Sequence, residues 1–163
     1  LGLPLRAFLP VFAVDPDRLS QMMSALGTGA VAGALIVAWL GTFRHMGRTL
    51  LCVQIAYGAL VATFALLPVS AVSYVLLFAA GAALLVVFSL TASLVQLAVP
   101  DELRGRVMSI YLMAFRGGLP VGSLVSGYFT TVASTPTVIA VNAGLLVVVA
   151  VYFLFRGHGV REL

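Results

Sequence analysis

Charge is scarce in this 163-residue chain, and one kind of charged residue is missing altogether. Asp, Glu, Lys and Arg make up 9% of the residues, against about 25% in soluble domains. There is no lysine, so all nine basic residues are arginines. Hydrophobic residues make up 62% of the chain, which leaves too few polar residues to cover a soluble core. The composition predicts an all-α integral membrane protein and excludes an ordinary soluble domain.

Residues that form disulfides or hold metals are also few. Cys52 is the only cysteine and lies inside an apolar run, so no disulfide framework or cysteine cluster is available. His45 and His158 lie in separate polar segments, which argues against a metal pair. Most of the arginines fall at the ends of apolar runs and form no continuous patch with interleaved aromatic residues. We expect no metal, no cofactor and no nucleic-acid partner.

The motifs of membrane-embedded enzymes are absent as well. The sequence has no G-x-S-x-G and no H-E-x-x-H pattern, and its complete apolar runs contain no Asp, Glu or His. A nucleophile–base pair or a catalytic metal inside the membrane would need such residues. Residues 27–32 fit the loose G-x-G-x-x-A dinucleotide pattern, but they lie inside an apolar run and not between a strand and a helix. We therefore expect that the protein is not an enzyme.

Apolar runs of about 20 residues, the length that crosses the hydrocarbon core of a bilayer, fill most of the chain. Five runs are complete, and the short first one contains Arg6. Because the chain starts at Leu1 without an initiator Met, a signal-peptide pattern or a polar lead-in, we expect a truncated first helix and a fragment of a longer protein. The predicted six-helix transmembrane bundle occupies 1–163, with spans at 1–14 (partial), 19–43, 49–67, 71–99, 107–133 and 138–155.

Arginines in the connecting segments predict the orientation of the bundle. Alternate segments carry six Arg residues, whereas the segments at the other ends of the spans carry only Arg18, which is balanced by Asp15 and Asp17. By the positive-inside rule, the six-arginine side and the C-terminus face the cytoplasm. The six residues are Arg44, Arg48, Arg104, Arg106, Arg156 and Arg161.

Arg116 lies near the middle of the fifth predicted span. A charge this deep costs about 2.5–3.5 kcal/mol on insertion scales, so it usually faces a cavity, a partner or a substrate path. Pro120 lacks a backbone N–H, which leaves the carbonyl of Arg116 without its helical partner. At about 100° per residue, Ser109, Met113, Pro120 and Ser123 lie on the same side of the helix as Arg116. We expect these five residues to face a cavity or a substrate.

The alternative to a cavity-facing Arg116 is a structural role, in which its side chain is tethered to the region of Asp101 and Glu102. No acidic residue lies within a complete span. The counter-charge for Arg116 is therefore expected in missing chain, in a bound anion or in water.

Small residues recur at four-residue spacing in two spans. Such stripes let helix backbones approach closely, which is how helices associate in lipid. We expect static helix packing, and the alternative is a smooth face on which helices slide during a transport cycle. The residues concerned are Ala25, Gly29 and Gly33 in one span and Gly118, Gly122 and Ser126 in the other.

Other polar and aromatic residues within the spans favour structural roles. We expect interhelical hydrogen bonds from Gln21, Gln54, Gln96 and Asn142. The single tryptophan and four of the five tyrosines lie mostly near span ends, as an interfacial aromatic belt requires, and are poor indicators of a binding site. They are Trp39, Tyr57, Tyr74, Tyr111 and Tyr128.

Residues 95–109, with the sequence VQLAVPDELRGRVMS, resemble the loop between spans ten and eleven of major facilitator superfamily transporters. They are most similar to the branch that contains bacterial siderophore exporters and macrolide-type efflux pumps. Residues 115–127 are similar to span eleven of that branch, and residues 9–12 look like the outer half of span seven. The resemblance covers essentially the whole chain, which would be the C-terminal six-helix half of such a transporter.

This resemblance implies a secondary active transporter in the bacterial inner membrane. Such transporters hold substrate between two six-helix bundles that rock about a central site. The expected activity is proton-coupled efflux, by antiport, of small amphipathic molecules of drug or siderophore type. The implied partners are the lipid bilayer, the substrate, protons and the missing N-terminal half of the same protein. The alternative is a non-transporting membrane scaffold or a half-size partner subunit.

The superfamily's cytoplasmic loop motif, roughly G-x-x-x-D-R-x-G-R-R, has a degenerate counterpart at residues 40–49. Gly47 and Arg48 fit the motif, but Arg44 stands where the motif has its aspartate. This departure argues against a gating salt bridge built on that aspartate. The residues expected to act in cytoplasmic gating are Arg44, Arg48, Asp101, Glu102, Arg104 and Arg106. The alternative is that these arginines only set the topology.

Overall fold

A computed structural model describes residues 9–10, 15–41, 45–67, 70–132 and 134–156. Within these ranges the chain forms long α-helices and no strand, and five of the helices are long and apolar enough to cross a membrane. The predicted all-α membrane bundle is confirmed. Most of the predicted partial span at 1–14 lies outside the described residues. The five helices are α1 (Pro16–Leu40), α2 (Met46–Leu66), α3 (Ala71–Ala98), α4 (Asp101–Val132) and α5 (Thr135–Arg156).

Helix α4 begins earlier than the predicted span, at Asp101 instead of residue 107. The segment from Pro100 to Arg106, which the predicted spans leave as a connection, therefore forms mostly the first turns of α4. Val99 is extended, as the residue before a proline prefers to be, and the Leu103 N–H donates to the carbonyl of Pro100 at 3.0 Å. Asp101 and Glu102 favour a helix start because their charges complement the positive end of the helix dipole.

Close backbone contact joins α1 and α3. A Cβ atom on Gly29 would overlap the carbonyl of Phe78, and one on Gly33 would overlap the carbonyl of Ala82. From the other side, a Cβ atom on Gly81 would overlap the carbonyl of Leu26. Because glycine has no side chain at these positions, the two helix backbones approach each other directly.

Helix α2 packs against both α3 and α5, and the main apolar core lies among α1, α2, α3 and α5. This core includes Met22, Tyr57, Phe64 and Leu77, each 2% exposed or less, and it also contains Leu9. Helix α4 makes only slight contact with α3 and α5. Among the described side chains of α4, only Ser126 is buried, so most of this helix lies outside the core.

Candidate functional site

Arg116 is the sixteenth of the 32 residues of α4, so it lies about 23 Å from the start of the helix. Its side chain is exposed. Among the described residues, no carboxylate pairs with it: the ion pairs there join Arg18 to Asp15 at 3.9 Å and Arg104 to Asp101 at 2.6 Å. The alternative tether to the Asp101 region would have to span several helical turns, and Asp101 already has a partner.

The four other residues predicted to face a cavity lie with Arg116 on α4, and all are exposed. Ser109 donates its hydroxyl to the carbonyl of Gly105 at 2.9 Å, within its own helix. The side chain of Met113 is 68% exposed. We call this surface the Arg116 face, defined by Arg116, Ser109, Met113, Pro120 and Ser123.

A different part of α4 contacts α3 through aromatic rings. Phe115 meets Phe88 edge to face, with ring centroids 4.6 Å apart and an interplanar angle of 87°. Tyr111, one turn earlier on α4, stacks against Phe115 with centroids 6.3 Å apart. Edge-to-face pairs of this kind are worth about 0.5–1.5 kcal/mol beyond their buried area. The Phe88–Phe115 pair holds the middle of α4 against α3, with which α4 otherwise makes only slight contact.

A cavity of about 280 Å³ lies beside these rings, between α2, α3, α4 and α5. We call it the aromatic cavity. Its wall is mostly apolar, and its polar groups include Gln54 and Thr91. Binding sites for organic ligands combine apolar and aromatic walls with a few polar groups in this way. The residues that line it are Gln54, Tyr57, Leu84, Val87, Phe88, Thr91, Tyr111, Phe115 and Leu146.

Sequence reasoning missed this cavity. Their positions in the sequence predict Tyr57 and Tyr111 for an interfacial belt, whereas in the structure both line the aromatic cavity. A signal was present, because Leu84, Phe88 and Thr91 are spaced to lie on one side of α3, where a threonine interrupts an apolar face. Conversely, no residue of the Arg116 face lines the cavity.

The predicted packing glycines behave differently on the two helices. Gly29 and Gly33 lie against the backbone of α3, whereas a Cβ atom on Gly118 or Gly122 would meet nothing within 4 Å among the described residues. Packing through Gly118 and Gly122 therefore stays a prediction. Two predicted interhelical hydrogen bonds are present: Gln21 accepts one from Tyr74, and Asn142 donates one to Ser126.

Among the residues expected to act in gating, Arg104 connects α4 to α3. It pairs with Asp101, and its Nε donates to the carbonyl of Gln96 near the end of α3 at 3.3 Å. A cation at this position complements the negative end of the helix dipole. Arg48, Glu102 and Arg106 are exposed, and Arg44 lies outside the described residues. A gating role for this set, and the alternative that the arginines only set topology, both stay predictions.

Within the described ranges, no three His, Cys, Asp or Glu side chains lie close enough together to hold a metal ion. A sequence profile of transmembrane secretion effectors matches residues 3–161, nearly the whole chain. The chain belongs to the transmembrane secretion effector family. It is thus a transporter of the major facilitator superfamily type and a multi-pass membrane protein.

The profile match agrees with the resemblance of residues 95–127 to the major facilitator superfamily and with the all-α membrane fold. No curated protein and no solved structure is significantly similar to the chain.

Proposed function

We propose that this protein exports small amphipathic molecules across the bacterial inner membrane in exchange for protons. The observation that carries the substrate class is the aromatic cavity. Rings of Phe88, Tyr111 and Phe115 offer stacking surfaces, and Gln54 and Thr91 offer hydrogen bonds at the same wall. A cavity of about 280 Å³ accommodates a planar apolar group with one or two polar substituents, in the manner of a drug or of the aromatic part of a siderophore.

The Arg116 face supplies a second part of the proposal. An arginine at mid-bilayer that faced lipid would cost about 2.5–3.5 kcal/mol on insertion scales, and Arg116 is exposed in this bundle. We infer that this face lies against a second helical bundle, the N-terminal half of the same protein, and lines the path between the two. The complete spans contain no carboxylate, so the proton-carrying acids would lie on that second bundle.

The direction and the orientation rest on two separate arguments. The outward direction follows from the resemblance of residues 95–109 to exporters of drugs and siderophores. The excess of arginines in alternate connections favours a cytoplasmic C-terminus. In this arrangement the Arg104 contacts with Asp101 and Gln96 lie at the cytoplasmic end, where we propose that they stabilise the closed position of α4 against α3.

Transport by the full-length protein in proteoliposomes tests the proposal. A lipophilic aromatic dye such as ethidium is loaded, a pH gradient is imposed, and dye movement is followed by fluorescence. Phe115→Ala should slow transport about tenfold, because it removes an aromatic ring from the wall of the aromatic cavity. Phe129→Ala is the matched control, since Phe129 lies on the same helix, is 54% exposed and is outside the cavity lining.

Two outcomes would contradict the proposal. Equal transport by the Phe115 and Phe129 variants would remove the aromatic cavity from the substrate path. Absence of any dye movement or pH-gradient dissipation by the unmodified protein, with a range of amphipathic dyes, would favour the alternative, a non-transporting scaffold or half-size partner subunit.

A further inference from the structure

A second cavity, of about 360 Å³, lies at the other end of the bundle from the arginine-rich connections. It is formed where α1 and α3 begin side by side. Its wall is mostly polar, which is unusual in a chain whose residues are 62% hydrophobic. We call it the polar cavity, and its lining consists of Arg18, Gln21, Ser70, Ala71 and Tyr74.

Hydrogen-bond donors predominate in this wall. The Tyr74 hydroxyl donates to Oε1 of Gln21 at 3.2 Å, which fixes the amide of Gln21 and leaves its Nε2 group as a donor. Arg18 carries five N–H groups in a planar fork. Ser70 contributes its hydroxyl, and the Ala71 N–H lies in the first turn of α3, where it has no helical acceptor.

The acidic residues nearby leave Arg18 available. Its contact with Asp15 is long, at 3.9 Å, and both side chains are more than half exposed. Exposed pairs of this kind contribute little, about 0–1 kcal/mol. Asp17 is in the first turn of α1 and is not part of the cavity lining. An anion that accepts several hydrogen bonds at once would therefore displace Asp15 from Arg18.

Helix lengths place the cavity near the boundary between the hydrocarbon core and the lipid headgroups. Helix α1 has 25 residues and is about 37 Å long, against about 30 Å for the hydrocarbon core. Helix α3 has 28 residues and is about 42 Å long. Arg18 is the third residue of α1 and Ser70 is the N-cap of α3, so both lie near this boundary, and the long side chain of Arg18 can extend into the headgroup layer.

We propose that the polar cavity binds the phosphate group of a membrane phospholipid. The guanidinium of Arg18 makes paired hydrogen bonds to two phosphate oxygens, a geometry that arginine matches better than lysine does. Nε2 of Gln21 and the hydroxyl of Ser70 donate to the remaining oxygens. The acyl chains of the lipid then run along the exposed apolar sides of α1 and α3. A bound lipid would stabilise the contact between α1 and α3, which meet at Gly29 and Gly33.

Binding to the purified full-length protein in detergent tests the site. The probe is a short-chain phosphatidylglycerol added below its micelle concentration, and the readouts are the shift in Tm and the apparent Kd. Arg18→Gln should weaken binding about tenfold, as the loss of charge-assisted hydrogen bonds requires. Asp15→Asn should tighten binding, because it removes the competing carboxylate. Arg48→Gln is the control, an exposed arginine at the opposite end of the bundle, and should leave binding unchanged.

Inorganic phosphate distinguishes the two sources of the anion. An Arg18-dependent shift with the lipid, and none with phosphate at equal concentration, supports a headgroup site. An equal Arg18-dependent shift with inorganic phosphate would overturn the lipid assignment and indicate a site for a free oxyanion. Lipid binding that is the same in the Arg18→Gln and Arg48→Gln variants would overturn the site itself. Because Arg18 is exposed, its substitution does not disturb the core.

Discussion

Asn142 donates a hydrogen bond from its Nδ2 to the Oγ of Ser126 across 3.1 Å, and this bond joins α5 to α4. Ser126 is the one buried side chain among those described on α4. Two further contacts hold α4 along its length: Arg104 to Gln96 at its start and Phe115 to Phe88 near its middle. The helix that carries Arg116 is thus held at separate points and not along a packed face, which suits an element that moves against its neighbours.

Asn142→Ala should destabilise the bundle by about 0.6 kcal/mol, the average that double-mutant cycles give for interhelical hydrogen bonds in membranes, and by no more than about 1.7 kcal/mol, their maximum. Unfolding in mixed detergent, followed by the loss of helical circular dichroism, measures the effect. Ser126→Ala and the double variant complete a double-mutant cycle. If the destabilisation in the double variant equals the sum of the two single effects, the hydrogen bond contributes nothing to stability.

Gly29→Ala should lower stability by about 1–3 kcal/mol, the usual effect of overpacking. The added Cβ would overlap the backbone carbonyl of Phe78, so α1 and α3 must separate. Gly27→Ala is a control on the same helix, because a Cβ there meets nothing within 4 Å and alanine favours helix. Thermal unfolding in detergent should show a lower Tm for the first variant only. A similar Tm for both would show that α1 and α3 are not in backbone contact.

Arg116→Ala should reduce dye transport at least about tenfold while the protein still inserts into the membrane. Insertion should in fact become easier by about 2.5–3.5 kcal/mol, because a charge at mid-span is removed. Proteoliposome transport and the amount of membrane-integrated protein are the two measurements. Arg116→Lys keeps the charge and should retain part of the activity. Normal transport by the alanine variant would exclude Arg116 from the mechanism.

Cysteine labelling should show that the two ends of α4 lie on opposite sides of the membrane. In a Cys52→Ala background, Glu102→Cys should react with a membrane-impermeant maleimide only in inverted vesicles. Ser134→Cys should react in intact cells, because the positive-inside rule places it outside. Both original side chains are exposed, so access is governed by the side of the membrane. The opposite labelling pattern would reverse the proposed orientation.

Much of the fold was predictable from composition and apolar run length. The five complete spans predicted from the sequence correspond to α1 to α5, with ends that differ by a few residues. The largest difference is at the start of α4, where the charged residues 101–106 predict a connection between spans but form the first helical turns. Asp101 and Glu102 instead stabilise the first helical turn, where their charges are favourable.

The candidate site was less predictable than the fold. The angular position of Arg116 and its neighbours follows from helix geometry, so their common face was predictable. The aromatic cavity was not, because its wall combines residues from α2, α3, α4 and α5 that are far apart in sequence. Tyr111 lies near the start of its predicted span, as a belt residue does, whereas Tyr57 lies near the middle of α2. Only the packing of four helices shows that both line one cavity.

By itself, the sequence determined that this is an all-α membrane protein, and it predicts that Arg116 is too deep to face lipid. These properties depend on local hydropathy and on the fixed rise and turn of a helix. Tertiary structure alone decided which helices touch. Gly29 and Gly33 have the same four-residue spacing as Gly118 and Gly122, yet only the first pair meets another backbone among the described helices. The four-residue spacing shows that a helix has a smooth face of small residues. Which helix packs against that face depends on the packing of the whole bundle.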